Sequence, residues 1–214
     1  VAEGTTSYQV WFALTNAEFL TGSIDEDPAE GTLAPDSYEV RRGADRLELI
    51  GEMQARQVAT LSAAWESRAE GLPLATPDEA LILASIVEKE TGLAEERPVV
   101  ASVFINRLRA PMRLQTDPTV IYGITLGRRI LGRGLRRSEL NARTPYNTYQ
   151  IDGLPPTPIA NPGRASIEAV LNPVETEFLF FVADGTGGHA FAATLAEHNR
   201  NVALWRQIEA DQNQ

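Results

Sequence analysis

Glu88 is the side chain whose setting most favours proton transfer. It follows residues 80–87, Ala-Leu-Ile-Leu-Ala-Ser-Ile-Val, a stretch without a charge. A carboxyl in apolar surroundings is poorly hydrated when ionised, so its pKa rises. A glutamic acid kept protonated near neutrality can give its proton to a leaving glycosidic oxygen. The residue types leave a second reading open, in which Glu88 is an exposed side chain at a helix end, paired with Lys89 or an arginine. Ser85 shares the face of Glu88 one turn earlier. Glu90 lies two positions on and faces nearly the opposite side of a helix. It is therefore expected to be a surface or supporting residue.

Two further groups suit a sugar. Gln115, Thr116 and Asp117 form a polar triplet at a helix start, where free backbone N–H groups point outward. Asp117 could equally be a plain helix cap, which would leave Gln115 unexplained. Tyr146, Asn147, Thr148 and Tyr149 combine flat rings for stacking with an amide for hydrogen bonding. They could equally form a strand edge with tyrosines over the core. If that edge is extended, Tyr146 and Tyr149 face opposite sides, and Tyr146 and Asn147 rank above Tyr149 as groove residues. Residues 184–189, Asp-Gly-Thr-Gly-Gly-His, lack the lysine and helix-opening spacing of a phosphate loop. They read as a hairpin turn with a structural His189. With no cysteine and two histidines, disulfides, thiolate chemistry and Cys-based zinc are excluded. No cofactor or metal is expected, and activity is expected to be metal-independent.

These residues need elements to position them. The 214 residues suffice for one good-sized core with a small satellite, and 43% hydrophobic with 22% charged residues is ordinary for a globular chain. The polar residues 211–214 are the exception and are expected to be disordered. A net charge of −10 argues against nucleic acid as partner. Arg128, Arg129, Arg133, Arg136 and Arg137 cluster locally, as a solvated loop face or an anion-binding rim. Residues 1–6 could be a short strand, returning near Tyr38 and Val40. Thr5, Thr6 and Ser7 offer caps for a helix reaching Phe19. Residues 47–70 read as an amphipathic helix with Leu47, Ile50, Met53, Val58, Leu61 and Trp65 as its apolar stripe. Thr76-Pro77-Asp78-Glu79 opens a buried helix that runs to about Thr91. Further helices are expected over residues 99–108, 117–122, 166–171 and 195–210, and a buried strand over 177–183. Helices and strands are segregated, which favours α+β. The longest apolar run, residues 80–87, is far shorter than the roughly 20 residues that span a bilayer. The sequence opens on Val1 and is read as a processed or truncated portion of a longer chain.

Several motifs, in order, resemble one family. Residues 84–91 (ASIVEKET), 103–108 (VFINRL), 112–123 (MRLQTDPTVIYG), 145–149 (PYNTY), 153–156 (GLPP), 158–163 (PIANPG) and 183–189 all resemble the YceG-like family of endolytic murein transglycosylases. Glu30-Gly31 and residues 35–38 match its upstream segment, and the likeness spans about residues 30–205. It implies a catalytic domain over residues 41–214 beside a partial LysM-like module over 1–40. It implies cleavage of the N-acetylmuramic acid–N-acetylglucosamine bond, with Glu88 as donor and then acceptor of a proton. The muramoyl 6-hydroxyl would attack, leaving a 1,6-anhydro end. Ser85, Gln115, Thr116, Asp117, Tyr146, Asn147 and Tyr149 would line the glycan groove. Partners would be peptidoglycan strands and peptidoglycan synthases, with membrane contact only through an anchor outside this sequence. The setting would be the periplasmic side of a bacterial inner membrane, as a single-pass protein. The competing readings are a hydrolytic muramidase using Glu88 and Asp117, and an inactive glycan-binding scaffold.

Overall fold

The computed structural model describes residues 1–212. Residues 213 and 214, the end of the polar tail, lie outside the described residues; Asp211 continues the last helix. The elements, in order, are α1 (Ser7–Thr15), α2 (Arg46–Glu66), α3 (Pro77–Glu90), α4 (Arg97–Arg109), α5 (Asp117–Thr125), α6 (Arg137–Asn141), α7 (Arg164–Leu171), β1 (Phe180–Ala183), β2 (His189–Ala192) and α8 (Leu195–Gln212). The result is a mixed fold of helices with one small antiparallel sheet, in which Phe180 pairs with Ala192 and Ala183 with His189.

The buried helix α3 is the axis of the fold. Thr76 caps it by accepting from the Glu79 N–H at 3.2 Å, and Pro77 fits the first turn. Every residue from 80 to 87 is buried. Helices α2, α4, α5 and α7 surround it, so the whole circumference is covered except at the ends. Ile86, Val87, Val100, Phe104, Ile105 and Ile167 are buried to about 1% or less and form the centre. The β1–β2 hairpin and α8 close one side against α4. The strand is shorter than the expected 177–183. Carbonyls before it are taken by α4 side chains, Asn106 binding Thr176 and Phe178 and Arg107 binding Leu179. No described helix is long and apolar enough to cross a membrane.

A second, smaller core joins Val10, Leu20, Ile24 and Leu33 to Leu49, Ile50 and Met53 at the start of α2. It extends past residue 40. Residues 1–6 and the Tyr38–Val40 stretch are not strands. The backbone of Gly4 and Thr5 bonds Asn161 instead, and the Tyr38 hydroxyl turns inward to the Ala34 carbonyl. Thr6 caps α1 through a capping box with Gln9, and the helix stops at Asn16, leaving Phe19 outside it. In α2 the expected Leu47 and Val58 are exposed, whereas Gln57 is buried and bonds the carbonyls of Gly31 and Pro162. Asn161 ties the two cores together. Its amide donates to Thr5 and accepts from the Leu33 N–H at 2.9 Å. The arginine-rich segment is partly neutralised: Arg128 pairs with Asp27 over the Tyr8 ring, and Arg133 grips Glu139.

Candidate active site

The two glutamates near the end of α3 point to different places. Glu88 Oε2 accepts from the Gly163 N–H at 2.9 Å and the Ser166 hydroxyl at 2.7 Å. Gly163 is the N-cap of α7, so the carboxylate occupies the anion position at a helix N-terminus. Arg97 reaches within 3.9 Å of the other oxygen, and the Glu88 side chain is 6% exposed. Gly4 lies over it; a Cβ there would meet Glu88 Cγ at 3.6 Å. The polar contacts of Glu88 thus fasten the starts of α7 and α4 to α3.

Glu90 faces the opposite side, into a groove of about 490 Å³. Gln115, Asp117 and Tyr149 line that groove, together with Arg107 and His189. The groove expected around Glu88 is built around Glu90 instead. Thr116 donates its hydroxyl to Glu90 Oε1. Burial raises the Glu90 pKa above the ordinary carboxyl range, and the charge of Asp117 adds to the rise. The Thr116 hydrogen bond and the nearby His189 and Arg107 side chains oppose it without reversing it.

Asp117 is free for this role because it does not cap. The N-cap of α5 is Thr116, and no side-chain cap bond forms there. Asp117 Oδ1 instead accepts from the Tyr149 hydroxyl at 2.6 Å. Burial and that bond push the Tyr149 pKa up, so the phenol keeps its proton. Gln115 lies exposed at the mouth with φ of 51°, a left-handed conformation that costs a side-chain-bearing residue about 1–2 kcal/mol. Thr148 holds the turn in place. Its carbonyl accepts from the Gln115 N–H, and its hydroxyl accepts from the Thr116 N–H at 3.0 Å.

Three expected site residues lie elsewhere. Ser85 is fully buried, donating to the Ile82 carbonyl and accepting from the Ile159 N–H. Tyr146 packs against Tyr122 at 5.1 Å between ring centres, with its hydroxyl on Thr157. Asn147 is fully buried. Its amide donates to the carbonyls of Glu139, Leu140 and Ala142, and its oxygen accepts from the Tyr149 N–H. The segment is a series of turns rather than a strand, which reverses the expected ranking and brings Tyr149 into the groove. Asn147→Ala strips these bonds and is expected to cost about 2–3 kcal/mol in denaturant unfolding. An unchanged midpoint would show that Asn147 is not the organiser of this loop. Sequence reasoning missed Glu90, Arg107 and His189. Only the opposite-face spacing of Glu90 from Glu88 hinted at the first, and nothing in the spacing of the others signalled a shared groove. Among the described residues no group of three His, Asp or Glu side chains is placed to hold a metal ion.

The YceG-like family matches residues 1–204. An endolytic murein transglycosylase of Bacillus subtilis is 37% identical over 174 residues, which cover 81% of this chain and 47% of the relative. One from Streptococcus pneumoniae serotype 2 is 36% identical over 177 residues, covering 81% of this chain and 32% of the relative. The chain thus spans about half, or a third, of the length of these curated relatives. The crystal structure of a yceG-like protein from Listeria monocytogenes superposes with a TM-score of 0.74 at 32% identity, over 94% of this chain and 74% of that one. The motifs, the fold and these relatives agree, and the chain belongs to the YceG-like family.

Proposed function

We propose that this chain is the catalytic portion of an endolytic murein transglycosylase, with Glu90 and not Glu88 as its acid. The observation that carries the assignment is the raised-pKa carboxyl of Glu90 in a groove shared with Gln115, Asp117 and Tyr149. Relatives named endolytic murein transglycosylases support the reaction class. Glu90 protonates the glycosidic oxygen between N-acetylmuramic acid and N-acetylglucosamine. The muramoyl 6-hydroxyl then attacks the anomeric carbon, and the carboxylate left on Glu90 is an acceptor for its proton. The product is a 1,6-anhydromuramoyl end formed without water. The intramolecular nucleophile makes a second carboxylate dispensable.

Glycan strands are the substrate on this reading. The membrane setting is the periplasmic side of an inner membrane, beside the peptidoglycan synthases whose strands it would shorten. Residues 1–40 would be a LysM-like module assisting the catalytic domain of residues 41–214. Mass spectrometry of digested, uncrosslinked peptidoglycan tests the reaction: anhydro ends are expected. Reducing ends would make the protein a muramidase working through Glu90 and Asp117, which share the groove. Absence of cleavage would make it a glycan-binding scaffold. Tyr149→Phe removes the phenol hydroxyl that Asp117 accepts, and is expected to lower kcat/KM about tenfold. An unchanged value would remove Tyr149 from the site.

A further inference from the structure

An imidazole shares the groove with Glu90, and its ring is held by a carboxylate. His189 opens β2 with its ring Nδ1 2.8 Å from Glu96 Oε2. Its backbone N–H donates to the other oxygen of the same carboxylate at 2.7 Å. Glu96 also accepts from the hydroxyl of Thr91, the C-cap of the helix that carries Glu90. Gly188 makes the approach possible, since a Cβ there would lie 2.6 Å from Glu96 Oε1. Phe181 stands edge-on to the ring at 5.2 Å and 85°. With Nδ1 committed to Glu96, Nε2 is the free nitrogen of the ring. Among the described residues the buried polar side-chain atoms without a partner are Arg97 Nε and His198 Nδ1. His189 Nε2, unpaired yet not among them, keeps some exposure, and the residue lines the groove.

A carboxylate on Nδ1 fixes the tautomer that leaves Nε2 as a proton acceptor, the arrangement that prepares a base for a hydroxyl nucleophile. We propose that His189, oriented by Glu96, is a second catalytic residue whose Nε2 takes the proton of the attacking muramoyl 6-hydroxyl. The inference rests on the reading of Glu90 as acid and reassigns only the second proton transfer. Glu90 gives its proton to the leaving oxygen as the bond from the anomeric carbon breaks. The O6 to anomeric carbon bond forms, and the O6 proton passes to Nε2. The imidazolium so made is stabilised by Glu96, and its proton returns to the Glu90 carboxylate as the product leaves. The charged or titratable side chains around the imidazole are Glu96, Glu90, Arg107, His198, Asp117 and Tyr149.

The competing role is a pin that fastens the hairpin to α4. His189→Asn separates the two, because the shorter amide can still donate to Glu96 from near the Nδ1 position but offers nothing at Nε2. Initial rates on uncrosslinked glycan strands are expected to show kcat lowered by about 10²-fold or more. KM should stay within about threefold, with unaltered thermal melting. Glu96→Gln should match it, since an amide N–H facing Nδ1 forces the proton onto Nε2. A kcat that survives His189→Asn, or a change confined to KM, overturns the proposal and leaves His189 as a pin. If the Asn variant does not fold, a folded Glu96→Gln with unchanged kcat overturns it equally. Glu90→Gln keeps the readings apart. Cleavage by that variant defeats the acid assignment, whereas an inactive Glu90→Gln beside an active His189→Asn defeats this inference alone.

Discussion

Glu90→Gln is expected to lower glycan cleavage by about 10³-fold or more while leaving the fold intact. The amide keeps the shape and can still accept the Thr116 hydroxyl, but it has no proton to give. The same variant should melt higher than the unaltered protein at neutral pH. The sign follows from the raised pKa: the folded state favours the protonated carboxyl, so the contribution of Glu90 to stability is complete below the ordinary value of 4.5 and is lost as pH rises through the folded value. Gln does not titrate and escapes that loss. The gap in melting temperature should therefore close as pH falls below that ordinary value. Retained cleavage would remove Glu90 from the chemistry. A melting temperature that falls at neutral pH would show that the carboxylate is structurally needed in its charged form. Higher stability with lost activity is the signature of a site that holds a group in an unfavourable setting for function.

Glu88→Ala should act in the opposite sense, on stability rather than on chemistry. It strands the Gly163 N–H, the Ser166 hydroxyl and the Arg97 guanidinium, all close to a carboxylate that is 6% exposed. Removing one partner from a buried charged cluster costs about 2–4 kcal/mol. In a chain of this size that lowers Tm by roughly 5–15 °C. Below that temperature the folded protein should cleave glycan within about threefold of the unaltered rate. Glu88→Gln should be milder, because its amide oxygen can still accept from Gly163 and Ser166. A well-folded Glu88→Gln with no cleavage would return the acid role to Glu88.

Much of the frame was legible where local chemistry is decisive. Thr76-Pro77 and Asp117-Pro118 marked helix starts because proline suits the first helical turn, and residues 80–87 announced a buried helix. The turn at residues 184–188 was likewise set by its glycines. Which of two glutamates faces the groove was not legible. A helix apolar nearly all round gives no direction, so spacing placed Glu88 and Glu90 on opposite faces without saying what each face meets. Asn147 shows another limit: an amide suited to a sugar is equally suited to three backbone carbonyls, and only the loop path decides. Tyr38 and Val40 have strand-forming side chains, yet the pairing partner they needed, residues 1–6, bonds Asn161 across the domain. Such long-range competition leaves no local trace.

The opposed glutamates of α3 also form a mechanical device. Glu88 is a fixed bearing, clamped to the start of α7, and Glu90 is a pointer on the far side of the same shaft. A carboxyl carried about 7 Å from the axis of a helix sweeps roughly 1 Å when the helix turns by about 10°. Displacements of that size can cost a hundredfold in rate. Any such rotation must pull Glu88 off Gly163 and Ser166 and also shear the packed face of residues 80–87, so the core holds the aim of the acid and Glu88 adds a restraint whose loss that core absorbs.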